Sequence, residues 1–450
     1  MNSAYDETLE RQLVKKVFRR IIPFMFMLYI AAFLDRVNVS FAALSMNKDL
    51  GFSSAIYGMG AGIFFLGYVL LEIPGNLLMT KVGPRIWMTR ILVTWGVIAG
   101  LTAFIRTPVQ FYTVRFFLGM AEASFTPGIL YYLGNWFRQK DLGKAVALFL
   151  TAMPTCNLIA APISTYLLGV HWFGWAGWKW LFVFEALPAV VLGVVCFFYL
   201  TDVPEQANWL KPDERALLVR LMNEEKAAKL QKKTYRLGQA FADPDVIKLS
   251  AVYFTWVTGL YGVTMFLPTL VKGLQQSMSN QRVGYLVMIP YLAALIATVL
   301  VGRHSDAVNE RRFHVAACMI FSALALGGSV WLAHVSLSLA LGLYAVSMMG
   351  VNAAFGPFWA IPSSFLQGAG AAGAIAMINS IGNVGGFVGP YALGYIREAT
   401  GSYNAGILLM AGSLVISALL VISLKKTGKA IEPARPAQAN TVTAPVYRPT

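Results

Sequence analysis

The stretch Ile21-Ile22-Pro23-Phe24-Met25-Phe26-Met27-Leu28-Tyr29-Ile30-Ala31-Ala32-Phe33-Leu34-Asp35-Arg36-Val37-Asn38-Val39-Ser40-Phe41-Ala42-Ala43-Leu44 carries two adjacent charges in an otherwise uncharged run. A bilayer core about 30 Å thick takes roughly 20 apolar residues per helix, so this run is long enough to cross it. Five basic residues precede it, Arg11, Lys15, Lys16, Arg19 and Arg20. It is too long, and too polar at its end, for a cleaved signal. Similar runs recur, starting near positions 21, 57, 86, 110, 145, 179, 248, 283, 313, 335, 371 and 403. The expected fold is an all-α membrane protein with 12 transmembrane helices.

Composition agrees. The 450 residues are 57% hydrophobic and 13% charged, whereas a soluble chain is about a quarter charged. Mean hydropathy is +0.61. A secreted disulfide scaffold, a disordered protein, a coiled coil and an ordinary cytosolic enzyme are excluded. Cys156, Cys196 and Cys318 each lie in an apolar stretch and read as small buried hydrophobes. His171, His304, His314 and His334 show no metal-ligand spacing, and no nucleophile–base pair occurs. No metal site, catalytic residue or cofactor is expected.

The loops orient the chain. With the N-terminus in the cytoplasm, the cytoplasmic loops hold 26 Lys and Arg and the opposite loops 6. The positive-inside rule then puts both termini in the cytoplasm. The net charge of +15 is thereby a topology signal and not a nucleic-acid footprint. A hydrophilic loop over 201–246, with an amphipathic helix expected at Lys211–Lys233, divides residues 1–200 from 247–450. These are expected to form two six-helix bundles, the C-terminal one followed by a short cytoplasmic tail. The loops Asn76–Arg85 and Gly302–Arg312 look alike and sit 226 residues apart. Repeated halves around a midplane site are a common transporter plan. Gly58, Gly60 and Gly62 in the second segment, and Gly382, Gly385, Gly386 and Gly389 in the eleventh, offer faces for close helix approach.

A charge inside a membrane helix is costly and is a functional hypothesis by default. The first half holds six, Asp35, Arg36, Glu72, Arg115, Glu122 and Glu185, and the second half none at similar depth. At about 1.5 Å of rise per residue, Asp35 lies roughly 9 Å, and Arg115 about 8 Å, from the same outer face of a 30 Å core. Arg36 and Arg115 can therefore lie level. Arg115 and Glu122, seven residues apart, share a helix face. Two guanidinium forks match carboxylate geometry and stay charged. Carboxylates beside them can exchange a proton as occupancy changes. Glu72 and Glu185 suit helix-packing or gate hydrogen bonds better than substrate contact. The second half supplies neutral polar groups: Tyr253, Trp256, Tyr261, Asn352, Asn379, Ser380 and Asn383.

These residues resemble the major facilitator superfamily, and within it the anion:cation symporter family. The likeness rests on Phe33–Asn38, Phe64–Tyr68 with Glu72-Ile73-Pro74, Arg115–Ala123 with Pro127-Gly128, Trp178–Phe182 and Asp202-Val203-Pro204-Glu205. It continues in Ser305-Asp306, Glu310-Arg311-Arg312 and Asn379-Ser380-Ile381-Gly382-Asn383, and so covers about residues 12 to 425. The resemblance implies that Arg36 and Arg115 contact a substrate carboxylate. It assigns proton coupling to Asp35 and Glu122, and substrate hydroxyls to Asn379 or Asn383. Phe33 stands where some sugar-acid carriers have Tyr, and Thr80 where the loop motif usually has Asp. The flavour is closest to the tartrate and sugar-acid branches, with phthalate-type acids also open.

The expectation is a monomeric, proton-driven symporter of a small organic anion in the bacterial inner membrane. Substrate-binding residues are Arg36, Arg115, Asn379, Asn383 and Tyr253. Partners are the anion, protons and the lipid bilayer, with no nucleic acid. The alternatives are an electroneutral anion exchanger and a non-transporting membrane sensor.

Overall fold

The computed structural model describes residues 2–230, 241–333, 335–365 and 369–424. Every regular element among them is helical. The first half comprises α1 (Asn2–Leu50), α2 (Ser54–Val82), α3 (Pro84–Leu101), α4 (Pro108–Glu122), α5 (Phe125–Trp136), α6 (Gln139–Leu150), α7 (Ala152–Leu167) and α8 (Gly177–Tyr199). A polar helix, α9 (Pro212–Leu230), follows. The second half comprises α10 (Pro244–Leu274), α11 (Asn280–Ala307), α12 (Arg312–Leu332), α13 (Leu337–Ala353), α14 (Phe355–Phe365), α15 (Ala369–Thr400) and α16 (Asn404–Ile422). Each of the twelve expected segments coincides with a helix or a broken helix. Among the described residues, nine helical stretches are long and apolar enough to cross a membrane.

Three of the segments are broken, each just before a proline. Proline has no N–H for the carbonyl four residues back and its ring crowds that carbonyl. Pro127, Pro154 and Pro357 each fall in the first turn after a break, which separates α4 from α5, α6 from α7, and α13 from α14. At the first break Ser124 takes the left-handed conformation, φ 73°, and its hydroxyl donates to the Glu72 carbonyl of α2 at 3.0 Å. The bend is thus pinned to α2 directly beside Glu122.

The basic arm is not a separate element but the first turns of α1. It docks at one end of the bundle. Lys16 Nζ meets Glu214 of α9 at 2.6 Å, Arg138 and Lys140 both meet Glu10, and Arg20 lies over the Tyr199 and Trp209 rings at 4.4 and 4.9 Å. These contacts join the arm, the 138–144 loop and the central loop, three segments of the side expected to be cytoplasmic. Lys232 and Lys233 of the expected central helix, His334 and the tail beyond 424 lie outside the described residues.

Within the halves α3 packs on α8, α2 on α4, α10 on α15 and α12 on α16; across them α2 packs on α15, α7 on α11 and α1 on α10. The glycine faces divide between these two kinds of contact. Side chains at Gly58 and Gly62 would run into the backbone of Pro390 and Phe387, and one at Gly386 into the Phe65 ring, all across the halves. Gly60 instead admits Phe111, and Gly382 admits Tyr253, each within its own half.

Candidate functional site

Six charged side chains are buried among the described residues: Asp35, Arg36, Glu72, Arg115, Glu122 and Glu185. All lie in the first half. They do not form one cluster; they divide into three groups, and helix geometry explains why.

The first group faces the boundary between the halves. Arg36 on α1 pairs with Glu122 at the end of α4 and donates from Nη1 to the Tyr261 hydroxyl of α10 at 3.3 Å. Its guanidinium lies over the Phe33, Phe64 and Tyr68 rings at 5.0, 5.4 and 5.6 Å. Arg115, one face of α4 and two turns from Glu122, lies over the same Phe64 ring at 5.0 Å. Only 1% of it is exposed. Its Nε donates to the Gly60 carbonyl at 3.3 Å, while Nη1 and Nη2 have no hydrogen-bond partner among the described residues, nor has Arg36 Nε. Buried polar groups are nearly always bonded, and an unpaired buried charge is expensive. Three guanidinium nitrogens beside an aromatic wall are thus without a partner among the described residues, and a guanidinium fork matches the geometry of planar carboxylate oxygens.

The second group crosses the halves. Glu72 on α2 accepts from Asn379 Nδ2 and, at 2.8 Å, from the Ser380 hydroxyl on α15. Glu72 thereby makes the helix-to-helix hydrogen bonds expected of it, and Asn379 is engaged with Glu72 in this arrangement. Asn383, one turn on, is buried.

The third group points the other way from Arg36, into the interior of the first half. Neighbouring helix positions are about 100° apart, so Asp35 and Arg36 cannot serve the same pocket face. Asp35 Oδ1 accepts from Asn38 Nδ2 at 3.2 Å, and Glu185 on α8 accepts from the Ser164 hydroxyl at 2.6 Å. Of the four charges read together in the sequence, Arg36 and Arg115 share the Phe64 ring and Glu122 pairs with Arg36, while Asp35 bonds Asn38 and faces Glu185 as well as Glu122 and Arg115.

Tyr253 sits in an aromatic cluster, stacked on Phe358 at 5.3 Å with Trp359 at 5.2 Å and Trp256 at 5.5 Å. Trp256 donates to the Val351 carbonyl at 3.0 Å, and Asn352 bonds its own helix at Met348. These are packing contacts. Tyr261, named above among the neutral polar groups, reaches Arg36 more directly than Tyr253; the two are 225 residues apart, and no local signal joins them. The loop after α2 holds another surprise of this kind. Asp202 accepts the Arg85 backbone N–H at 2.7 Å and lies against Gly83, so a carboxylate from after α8 caps α3 where Thr80 replaces the expected acid.

A cavity of about 550 Å³ lies elsewhere, between the arm and the end of α8, lined by Lys15, Lys16, Arg19 and Arg20 with Tyr199 and Trp209. None of the buried charges lines it.

Residues 25–390 match the family model described as Major Facilitator Superfamily. The chain is 46% identical over 423 residues to a protein of Agrobacterium vitis named "Putative tartrate transporter", covering 94% of this chain and 96% of that one. It is 37% identical over 418 residues to the "Putative metabolite transport protein NicT" of Pseudomonas putida, covering 92% and 94%. Its fold is similar to that of the xylose transporter XylE from E. coli, with a TM-score of 0.72 at 14% identity over 92% of this chain and 100% of that one.

Proposed function

The chain belongs to the Major Facilitator Superfamily, a family of multi-pass membrane transporters and not of enzymes, and from that premise we propose that it takes up a small organic anion together with protons. The anion is a hydroxy dicarboxylate or sugar acid, carried across a bacterial inner membrane by alternating access. One observation carries the reading: Arg115 is buried with both terminal nitrogens unbonded among the described residues, beside the Arg36–Glu122 pair.

A carboxylate entering there takes the two free nitrogens of Arg115 as a fork and competes with Glu122 for Arg36. Losing Arg36 frees Glu122 to hold a proton, so anion capture and proton binding reinforce each other. Tyr261 stands at the same pocket to bond a substrate hydroxyl. Asn383, and Asn379 once it leaves Glu72, add further polar contacts from α15. Tyr253 contributes a wall. The relative named for tartrate supports the choice of a hydroxy dicarboxylate, and the concentration of Lys and Arg on one side supports cytoplasmic termini.

Ligand binding to the folded state raises apparent stability. The purified protein should be stabilised by tartrate or sugar acids and not by uncharged polyols, and the Arg115→Ala variant should lose the effect. A protein indifferent to every acid, or a variant stabilised as fully as the parent, contradicts the reading.

A further inference from the structure

The group around Asp35 is not used by the anion pocket, yet it holds two carboxyls with no cation paired to either among the described residues. Asp35 is 1% exposed and Glu185 3%. Asn38 joins them: its Nδ2 donates to Asp35 Oδ1 at 3.2 Å, and the same side chain faces Glu185. The charged and titratable groups facing Asp35 are Glu185 of α8, Glu122 and Arg115 of α4, and Cys156 of α7, with the Trp95 indole of α3 beside them. Glu185 faces Ser164 and Cys156 of α7 and Asn38 of α1. Arg115 is the one cation in this set, and it makes no ion pair with Asp35.

The hydrogen-bond inventory is unbalanced in one direction. Asp35 Oδ2, Asn38 Oδ1 and Glu185 Oε2 are buried acceptors without a donor among the described residues. The Ser164 hydroxyl is already given to Glu185 Oε1, and the Cys156 thiol to the Ile30 carbonyl at 3.3 Å. Besides Arg115, two spare donors face the group, the unbonded indole N–H of Trp95 and the second N–H of Asn38 Nδ2 on the Glu185 side. These can satisfy the two carboxyl oxygens, which leaves the Asn38 carbonyl without a donor. Carboxyl groups acquire a donor only by taking a proton, and two carboxylates sharing a buried site cannot both stay ionised without a compensating charge.

We propose that Asp35 and Glu185, bridged by Asn38, form a proton-carrying pair separate from the anion pocket, with Glu185 holding one of the transported protons. A proton on the pair supplies the missing donor, and the Asn38 carbonyl can accept it. The protons are taken up as the outer side is exposed and given up when the site faces the cytoplasm. The pair deepens the symport reading above and rests on it.

Proton-to-anion stoichiometry, read from reversal potentials in proteoliposomes, tests it. The Glu185→Gln variant should move one proton fewer per anion than the parent. Equal stoichiometry in parent and variant overturns the pair while leaving symport intact; a parent that moves no protons overturns symport itself. If Glu185→Gln does not fold, the parent is treated with dicyclohexylcarbodiimide, which modifies protonated carboxyls in apolar surroundings. Labelling at Glu185 that fades as pH rises supports the proposal. No labelling at any pH overturns it.

Discussion

Arg36 and Arg115 lie against one ring, Phe64, at 5.4 and 5.0 Å, yet only Arg36 has a carboxylate partner. That inequality organises the account. One guanidinium is held by Glu122 and can be released; the other has its terminal donors free.

If Arg115 grips a carboxylate with two nitrogens, Arg115→Lys should fall between parent and Arg115→Ala. An ammonium is a point charge and cannot present the planar fork. Hydrogen bonds to charged groups contribute about 1.5–3 kcal/mol each, so losing one should weaken binding by roughly 10- to 150-fold. Isothermal titration with the acid found in the stability screen measures this, and Lys binding as tightly as Arg would refute the fork.

Glu122→Gln removes the charge opposite Arg36. Breaking a buried pair by neutralising one partner typically costs about 3–5 kcal/mol, with Gln at the lower end because it still hydrogen-bonds. Apparent stability should drop, and the gain on adding substrate should grow, because the anion now meets an unpaired Arg36. Unchanged melting with and without substrate would show that the pair is energetically idle.

Glu72 ties α2 to α15 through Asn379 and Ser380. In Glu72→Ala both hydrogen bonds disappear, and with them the preference for this packing of the halves. Loss of either charge-assisted bond is worth about 1.5–3 kcal/mol, enough to shift a two-state population roughly tenfold or more. Spin-label distances between the inner ends of α2 and α15 should broaden toward longer values. Distances identical to the parent's would show that the bonds do not hold the halves.

Outside the membrane, the hydrogen bond from Lys16 holds the Glu214 carboxyl below its usual value of 4.5, with burial opposing weakly. A lowered folded-state value means that the contact stabilises docking above the ordinary carboxylate range. The stabilisation fades as pH falls through the lowered value. Hydrogen exchange over residues 212–230, compared with a distant helix, should be protected at neutral pH and speed up in acid. The change should be small, since partly exposed pairs give about 1 kcal/mol or less. Protection, corrected for the intrinsic rate, that falls on raising the pH from neutral would have the wrong sign.

Much of the architecture was legible because hydrocarbon leaves few choices. A backbone in lipid must satisfy its own hydrogen bonds, so apolar length alone marks Ile21–Leu44 and its eleven counterparts. The breaks beside Pro127, Pro154 and Pro357 were not legible from proline alone, since Pro23, Pro74 and Pro290 lie inside unbroken helices. Periodicity placed Arg115 and Glu122 on one face of the helix; Glu122 pairs with Arg36, and Arg115 shares the Phe64 ring with Arg36. Two further things were hidden. Asp35 next to Arg36 in sequence suggested one pocket, although a helix turns neighbours about 100° apart. Pairings such as Arg36 with Tyr261, or Asp202 with Arg85, join residues 225 and 117 positions apart. No local pattern encodes them.

The most direct test of anion–proton coupling is uptake of labelled tartrate, or of the acid that best stabilises the protein, into proteoliposomes with and without an inward proton gradient. The account predicts accumulation above equilibrium when the outside is acidic, abolished by a protonophore and absent in Arg115→Ala. Accumulation that follows a trapped internal anion and ignores the pH gradient would contradict it and identify an exchanger instead.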